Sequence, residues 1–339
     1  YGEYTTSSED TDSRTNQYDQ FWSYNGMLVL ISAGNDGSDP DTITPPATAK
    51  NAVTVGNHHN RGGGAPSTLS DSSSRGPTDD GRIKPDVTAP GAWVRSCLSQ
   101  DATETSSSTW TSQWYLEYSG TSMSAPNAAG ASVLIREYLM EVAGRPSPQG
   151  ALIKGMLILG AEDTGSRDIP NMNEGWGRVN LANSLIPGTD TGVWVDDRNT
   201  VRSGQTREYQ FNLSRGNTPF KAVLTWSDYP GSTWSSTQLQ NNLDMVITAP
   251  DGTIYKGNDF ANGRSTTGGD ADDLNNVEVV LIDQADSGVW IVQITDVAHG
   301  GQRSDQPFAL AVRGAGVNDL RSDPLPIPIS FELSTAIPQ

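Results

Sequence analysis

The pattern of apolar residues changes abruptly near residues 186–192 of this 339-residue chain. Before that point, short apolar runs alternate with segments that carry apolar residues at helical spacing, which predicts an α/β layer fold built on a parallel sheet. After it, helix signals vanish, and short alternating strands separated by turn residues predict an all-β antiparallel sandwich or jelly roll. We therefore predict two domains, at residues 1–187 and 188–316, followed by a Pro-rich tail or linker at 317–339.

The first domain contains two predicted strands and two predicted helices. Residues 26–35 (GMLVLISAGN) and 51–57 (NAVTVGN) are short apolar runs typical of interior strands of a parallel sheet. Apolar residues at helical spacing predict one helix from Ser124 to Val142 and another from Gln149 to Glu162. In the second domain the predicted strands are REYQFNL (207–213), FKAVLTW (220–226), DMVITAP (244–250), VEVVLI (277–282), GVWIVQITDV (288–297) and FALAVRG (308–314).

Composition excludes several classes of partner. A net charge of −18 argues against nucleic acid and anionic membrane, since both repel an acidic surface. No apolar run approaches the roughly 20 residues that span a bilayer. Only five of the 22 basic residues are lysine, and Cys97 is the single cysteine, which together suit a secreted protein that folds without an internal disulfide. Because the sequence opens with Tyr1 rather than Met, we expect a processed or truncated product.

A serine hydroxyl is predicted at the start of the first helix. Ser119-Gly120-Thr121-Ser122 directly precedes the helical pattern, and free N–H groups at a helix N-terminus favour developing negative charge. A plain capping role for Ser122 is the structural alternative. Asn35, beside Gly34, would by itself be interpreted as a turn residue.

Five blocks occur in one order along the first domain. They are SAGN (32–35), SSRGP (73–77), KPDVTAPG (84–91), GTSMSAP (120–126) and EGWGRV (174–179). Together they resemble the subtilisin-like serine proteases, or subtilases. The resemblance implies a serine endopeptidase acting on protein or peptide substrates, with Ser122 as nucleophile and with Asn35 and the Ser122 N–H stabilising the oxyanion. It also implies that substrate is bound by Ser32, Ala33, Gly34 and Thr121.

The catalytic base is not found by this resemblance. Subtilases carry their Asp and His before the block that matches SAGN, yet the 32 residues before Ala33 contain no histidine. His58 and His59 fall in a predicted Gly-rich loop, and His299 falls in the β domain. We expect an N-terminal segment of the same protease, either a second chain or absent from this one, to supply Asp and His. The polar segment 2–16 (GEYTTSSEDTDSRTN) is predicted to be an exposed, cleavable loop.

The second domain resembles a narrower branch. LTWSD (224–228), NNLDMVI (241–247) and LNNVE (274–278) are similar to blocks of subtilases with a C-terminal calcium-binding jelly-roll domain, related to the P domain of proprotein convertases. That resemblance implies Ca²⁺ as a cofactor, since carboxylates at strand ends and turns supply the oxygen ligands that calcium prefers. The candidate ligands are Asp228, Asp244, Asp259, Asp273 and Glu278.

Two alternatives to a protease remain open from the sequence. One is a catalytically inert fragment or pseudoprotease that has lost its base. The other is a β-sandwich binding module in which Trp226, Trp234 and Trp290 form an aromatic face for carbohydrate or a partner protein. A tryptophan at strand spacing more often packs a sandwich core.

Overall fold

The computed structural model describes residues 1–16, 27–60, 65, 68–101, 110–185, 190–301 and 304–319. Its helices are α1 (Thr6–Thr15), α2 (Thr121–Glu141), α3 (Gly150–Gly160) and α4 (Leu181–Leu185). The strands of the first domain are β1 (Leu30–Ser32), β2 (Val53–His59), β3 (Val87–Ala92), β4 (Val94–Cys97), β5 (Trp110–Thr111) and β6 (Tyr115–Tyr118). Those of the second domain are β7 (Thr191–Asp196), β8 (Thr200–Val201), β9 (Thr206–Leu213), β10 (Thr218–Thr225), β11 (Asn241–Thr248), β12 (Ile254–Lys256), β13 (Phe260–Ala261), β14 (Arg264–Ser265), β15 (Val277–Ala285), β16 (Gly288–His299), β17 (Gln306–Pro307), β18 (Ala309–Ala315) and β19 (Asn318–Asp319).

A three-stranded parallel sheet forms the centre of the first domain. Its order is β1-β2-β3, so that β2 pairs with both neighbours. Helix α2 packs across all three strands and buries Ala128, Ile135 and Leu139 against Val55 and Val87. The predicted α/β layer is therefore confirmed in the described residues, with β3 as a third strand that the pattern analysis did not predict.

Two antiparallel sheets packed face to face form the main part of the second domain, and β13-β14 and β17-β8 form two short additional pairs. One has the order β15-β10-β18-β7 and the other β12-β11-β16-β9-β19. Their facing sides share one apolar core that includes Trp194, Phe211, Phe220 and Trp290. Burial alternates along β11, as expected for a sheet with one solvated face. The six predicted strands correspond to β9, β10, β11, β15, β16 and β18.

Helix α3 joins the two domains. All 11 of its residues are buried, which explains why its sequence is apolar around its whole circumference. One side packs against α2, and another packs against β10 and β18 of the four-stranded sheet. That sheet is consequently buried on both faces, since Val223, Val279 and Ala311 share a core with α3.

The N-terminal segment differs from its prediction. Residues 2–16 were expected to form an exposed loop, but Thr6–Thr15 is helix α1, and its Asp12 is fully buried. The Asp12 carboxylate accepts hydrogen bonds from the backbone N–H groups of Lys50 and Asn51 at 3.1 and 2.9 Å and from the Tyr4 hydroxyl at 2.8 Å. These three bonds give the polar segment a fixed place that its low hydrophobicity did not indicate.

A buried ion pair ties the first domain to the second. The Lys50 ammonium lies 2.5 Å from the Asp228 carboxylate, and both side chains have no exposed surface. Lys50 also donates to the carbonyls of Tyr229 and Gln238, each at 2.6 Å. Asn51 completes the junction, since its side chain exchanges two 2.9 Å hydrogen bonds with the backbone of Asp228.

The two predicted domain limits, at 187/188 and 316/317, can be compared with the ends of the observed elements. The boundary at 187/188 lies between α4 and β7, within residues 186–189, which are outside the described residues. The tail was predicted to start at residue 317, but β19 pairs with β9 and so extends the five-stranded sheet to Asp319. Residues 320–339 of the predicted tail lie outside the described residues.

We expect Lys50→Met to lower the free energy of unfolding by about 3–5 kcal/mol, because it leaves the Asp228 carboxylate buried without a counter-charge. Urea denaturation followed by tryptophan fluorescence measures the change. Arg215→Gln is the control, since its ion pair with Asp190 is exposed on both sides and should contribute about 0–1 kcal/mol. Equal, small losses for both variants would show that the Lys50 pair does not hold the domains together.

Candidate active site

Ser122 is the second residue of α2, and its side chain is exposed. The preceding Gly120 has a φ of +152°, a conformation that residues with a side chain rarely adopt. The Gly120 N–H donates to the Gly91 carbonyl at 2.9 Å, and the Trp93 N–H donates to the Ser119 hydroxyl at 2.8 Å. Hydrogen bonds to the β3 end of the sheet therefore fix the turn that presents Ser122.

Asn35 is bound to the residue directly before Ser122. Its side-chain oxygen accepts hydrogen bonds from the Thr121 N–H at 2.9 Å and from the Thr121 hydroxyl at 3.1 Å. A backbone N–H can only donate, so the amide oxygen must face Thr121 and the amide NH₂ must face away from it. The Asn35 NH₂ is thus left available to an oxygen beside Ser122.

The segment before Asn35 is held from several sides. The Gly34 N–H donates to the Thr121 hydroxyl at 3.3 Å, and the Gly34 carbonyl accepts from the Ser74 N–H at 3.0 Å. Gly34 has a φ of +113°, and a Cβ there would lie 2.5 Å from the Thr44 hydroxyl, so only glycine fits. Ala33 is fully buried, so its side chain does not reach a substrate, whereas Ser32 in β1 is half-buried.

None of the three histidines forms a hydrogen bond with Ser122 in the described part of the chain. His58 and His59 belong to β2 rather than to the predicted loop. His58 is buried, its Nδ1 lies 3.0 Å from the His59 carbonyl, and burial lowers its pKa. His299 lies in the second domain with its Nδ1 2.6 Å from the Asp296 carboxylate.

A buried carboxylate supports the sheet behind the site. Asp86 precedes β3 and binds the Lys84 and Lys154 ammonium groups at 2.6 and 2.9 Å. It also accepts the Thr54 N–H at 2.7 Å, which ties β3 to β2. Burial opposes ionisation of Asp86, but the two ammonium groups outweigh it and lower its pKa. Asp86 therefore has a structural role.

The five predicted calcium ligands do not converge. The assignment of Asp228 to calcium is wrong. Its carboxylate is bound by Lys50 and accepts the N–H groups of Gln240 and Asn241 at 2.8 and 2.9 Å. With an ammonium group already neutralising it, Asp228 is not free for a cation. The Asp259 carboxylate accepts a hydrogen bond from the Gly269 N–H at 2.8 Å.

Two of the other predicted ligands are neighbours. The pKa of Asp244 is raised, mainly by burial and to a smaller extent by repulsion from Asp272. Burial also raises the pKa of Glu278 well above its usual value. Repulsion from Asp272 and Asp244 adds to the increase at Glu278, but in the described residues the oxygens of these three carboxylates do not converge to within 4.8 Å of one another. Asp273 is exposed beside them. Sequence reasoning missed Asp272, although the acidic run from Asp270 to Asp273 was a signal for it.

A second acidic group lies in the first domain. In the described ranges, ligand oxygens of three residues come within 4.8 Å of one another at Asp163, Asp168 and Glu174. Glu174 is already bound by the Thr164 N–H at 3.1 Å and by the Asn171 side chain at 3.3 Å. The sequence analysis did not single out this group, because it lies in a loop between α3 and α4.

The aromatic face proposed for a binding module is not present. Trp226 and Trp290 are 1% and 2% exposed and pack inside the sandwich core, whereas Trp234 is 95% exposed. Because two of the three indoles face the interior, this alternative is wrong. Across the described residues, no helix combines the length and hydrophobicity needed to cross a membrane.

Comparison with known proteins gives a match over the first domain. The model of the Subtilase family matches residues 1–177, which is more than half of the 339 residues. Serine protease/ABC transporter B family protein tagA of Dictyostelium discoideum is 29% identical over 279 residues, covering 73% of this chain and 15% of that protein. Serine protease AprX of Bacillus subtilis is 33% identical over 184 residues, covering 53% and 39%.

Solved structures give partial overlaps. The patellamide maturation protease PatA superposes with a TM-score of 0.41 at 21% identity, covering 56% of this chain and 60% of that one. Sphericase gives a TM-score of 0.34 at 25% identity, covering 46% and 48%. The chain thus spans 15% of tagA and 39% of AprX, and only part of each of these structures.

Proposed function

Because the chain belongs to the subtilase family, we propose that it is part of a serine endopeptidase whose nucleophile is Ser122. The observation that carries the proposal is the pair of hydrogen bonds from Thr121 to Asn35. They fix an unused amide NH₂ next to an exposed serine at a helix start. A capping serine needs no such arrangement, whereas an oxyanion hole does.

The reaction follows from these groups. The Ser122 Oγ attacks the peptide carbonyl carbon, its proton passes to a base, and the carbonyl oxygen becomes an oxyanion. The Asn35 NH₂ and the Ser122 N–H, which lies in the first turn of α2 without an intrahelical acceptor, donate to that oxyanion. The base then returns the proton to the leaving amine, and water hydrolyses the acyl-enzyme.

We propose that the histidine base and its aspartate come from another segment of the same protease. Among the described residues, none of the three histidines is hydrogen-bonded to Ser122; His58 Nδ1 lies against the His59 carbonyl, and His299 pairs with Asp296 in the second domain. Two surfaces support a neighbouring segment: β1 has no strand partner on its outer side in the described residues, and α2 exposes Val133 and Leu134 by 63% and 51%. An unpaired parallel edge and an apolar helix face are both features that a further layer would cover.

We further propose that the second domain is the calcium-binding jelly roll of the branch that its blocks resemble, and that the protease works outside the cell. Asp244, Asp272 and Glu278 would hold the ion, and its charge would relieve their mutual repulsion and stabilise the domain. The Asp244 Oδ1 atom supports this, since it is buried without a hydrogen-bond partner in the described structure.

The nucleophile is tested with a fluorophosphonate probe. We expect Ser122 to be labelled when the chain is co-expressed with a subtilase segment that bears Asp and His, and labelling to disappear in Ser122→Ala. The chain alone should label on the order of 10⁴-fold more slowly, because it lacks the base. Rapid labelling of Ser122 in the chain alone would overturn the proposal of a second segment.

The oxyanion hole is tested on the active assembly. Asn35→Ala should lower kcat by about 10²- to 10³-fold with little change in KM, because the bond forms only in the transition state. Thr121→Val should lower kcat by about tenfold, and Thr121→Ser should restore it, since the hydroxyl only orients Asn35. Thr206→Val, an exposed change in the second domain, is the control. Unchanged kcat in Asn35→Ala would contradict the assignment.

Calcium is tested by thermal unfolding. We expect millimolar Ca²⁺ to raise the unfolding midpoint and Asp244→Asn to weaken calcium binding by about tenfold through loss of one charged ligand. Asp168→Asn is the matched variant in the other acidic group and should leave the response unchanged. If Asp168→Asn alone removes the response, the ion binds in the first domain and the proposed site is wrong.

A further inference from the structure

Lys221 differs from the other buried lysines. Lys50 pairs with Asp228, and Lys84 and Lys154 share Asp86. Lys221, which is 1% exposed, has no carboxylate within ion-pair distance among the described residues. Within the described ranges, its ammonium donates to the carbonyls of Ile158 and Ala161 at 2.6 and 3.4 Å, at the C-terminal end of α3.

A second cation lies directly beside it. Arg313 on β18 is the register partner of Lys221 on β10, so the two like charges face each other across neighbouring strands. Arg313 donates to the Asn183 carbonyl at 3.2 Å, and it too lacks a carboxylate partner within the described part of the chain. Like charges opposite each other in a sheet are destabilising unless something else compensates them.

Both cations line a cavity of about 530 Å³ between the two domains. The first domain contributes Ala161, Glu162, Asp163, Arg167, Ile169 and Asn183, and the second domain contributes Lys221, Arg264, Asp283 and Arg313 among others. Two of the lining carboxylates already have partners: Asp283 binds both Arg167 and Arg264, and Glu162 binds Arg178 at 3.0 Å. The third, Asp163, accepts backbone N–H groups of Asp168 and Ile169.

The residues that line this cavity are richer in basic groups than the molecule as a whole. Its lining holds four basic groups (Arg167, Lys221, Arg264 and Arg313) and three acidic ones (Glu162, Asp163 and Asp283). Burial, with repulsion from Arg313 and Arg264, lowers the pKa of Lys221 to about 7, so the lining carries an excess of one positive charge only when Lys221 is protonated, as it is below that pH and beside a bound anion. The whole chain carries a net charge of −18. Burying a cation without a counter-ion is unfavourable, and the carbonyl dipoles at the end of α3 offset only part of that penalty for Lys221. Arg313 is half-buried, with the Asn183 carbonyl as its acceptor and Glu162 as an opposing charge.

We propose that this interdomain cavity binds a small inorganic oxyanion, phosphate or sulfate, between Lys221 and Arg313. Oxyanions accept several hydrogen bonds from ammonium and guanidinium groups at once, and they are the ligands that such a pair recognises. Because the two cations belong to the second domain and the rest of the lining includes residues of the first domain, the bound anion stabilises the joined form. The site is separate from Ser122 and does not depend on the proposed protease activity.

The test is isothermal titration calorimetry of the full chain with inorganic phosphate, with sodium chloride at equal ionic strength as the reference. We expect saturable binding in the millimolar range and a parallel rise in the thermal unfolding midpoint. Lys221→Met and Arg313→Gln should each weaken binding at least tenfold. Arg215→Gln, which removes an exposed arginine of the same domain, should change the affinity less than about twofold.

Two variants are used so that the cavity can be tested even if one of them does not fold. Methionine matches the apolar stem of lysine, and removing an unpaired buried cation can stabilise a fold, so Lys221→Met is expected to remain folded. If it unfolds, Arg313→Gln tests the same cavity. The proposal is overturned if wild type shows no saturable heat up to about 50 mM phosphate, if chloride raises the unfolding midpoint equally, or if folded Lys221→Met or Arg313→Gln binds like wild type.

Discussion

The arrangement of the candidate site depends on the turn formed by Lys50 and Asn51. Lys50 is held by the Asp228 carboxylate of the second domain, and Asp12 of α1 binds the backbone of both turn residues. The turn leads directly into β2, the central strand of the parallel sheet. Since β1 leads to Asn35 and β3 leads to the backbone beside Ser122, both are positioned by their pairing with β2. A junction between domains thereby supports the relative position of Ser122 and Asn35, the proposed nucleophile and oxyanion donor.

Buried lysine side chains connect separate segments at several places in this fold. Four of the five lysines are at most 3% exposed, and each donates to backbone carbonyls, to a carboxylate or to both. A flexible stem with three donors can join segments that are distant in sequence, such as α3 with the start of β2. Most lysines of this acidic chain are therefore buried and join separate segments of the fold. They contribute little to the charge of the surface.

Sequence reasoning succeeded where a pattern is local. Apolar spacing predicts helix α2, which the structure confirms. The short blocks that contain Asn35 and Ser122 are brought together by the hydrogen bonds between Thr121 and Asn35, while the catalytic roles of Ser122 and Asn35 stay predictions. Sequence reasoning failed where burial is decided by a distant partner. Asp228 was assigned to calcium because turn carboxylates suit that ion, but Lys50, 178 residues away, occupies it. Helix α1 was taken for a loop because its polar residues give no periodic signal, while Asp12 has its partners at positions 4, 50 and 51.

The second domain supports Ser122 through packing rather than through direct contact. Helix α2 rests on α3, and α3 is enclosed by β10 and β18, so the four-stranded sheet supports the helix that carries Ser122. A helix that is apolar on every side has no stable position in water, and removing the sandwich would expose the side of α3 that covers Val223, Val279 and Ala311. The proposed oxyanion hole needs Thr121 and Asn35 to keep one fixed geometry before substrate arrives. The packing of α2 on α3, and of α3 on the sandwich, is the physical route by which the second domain supports that geometry.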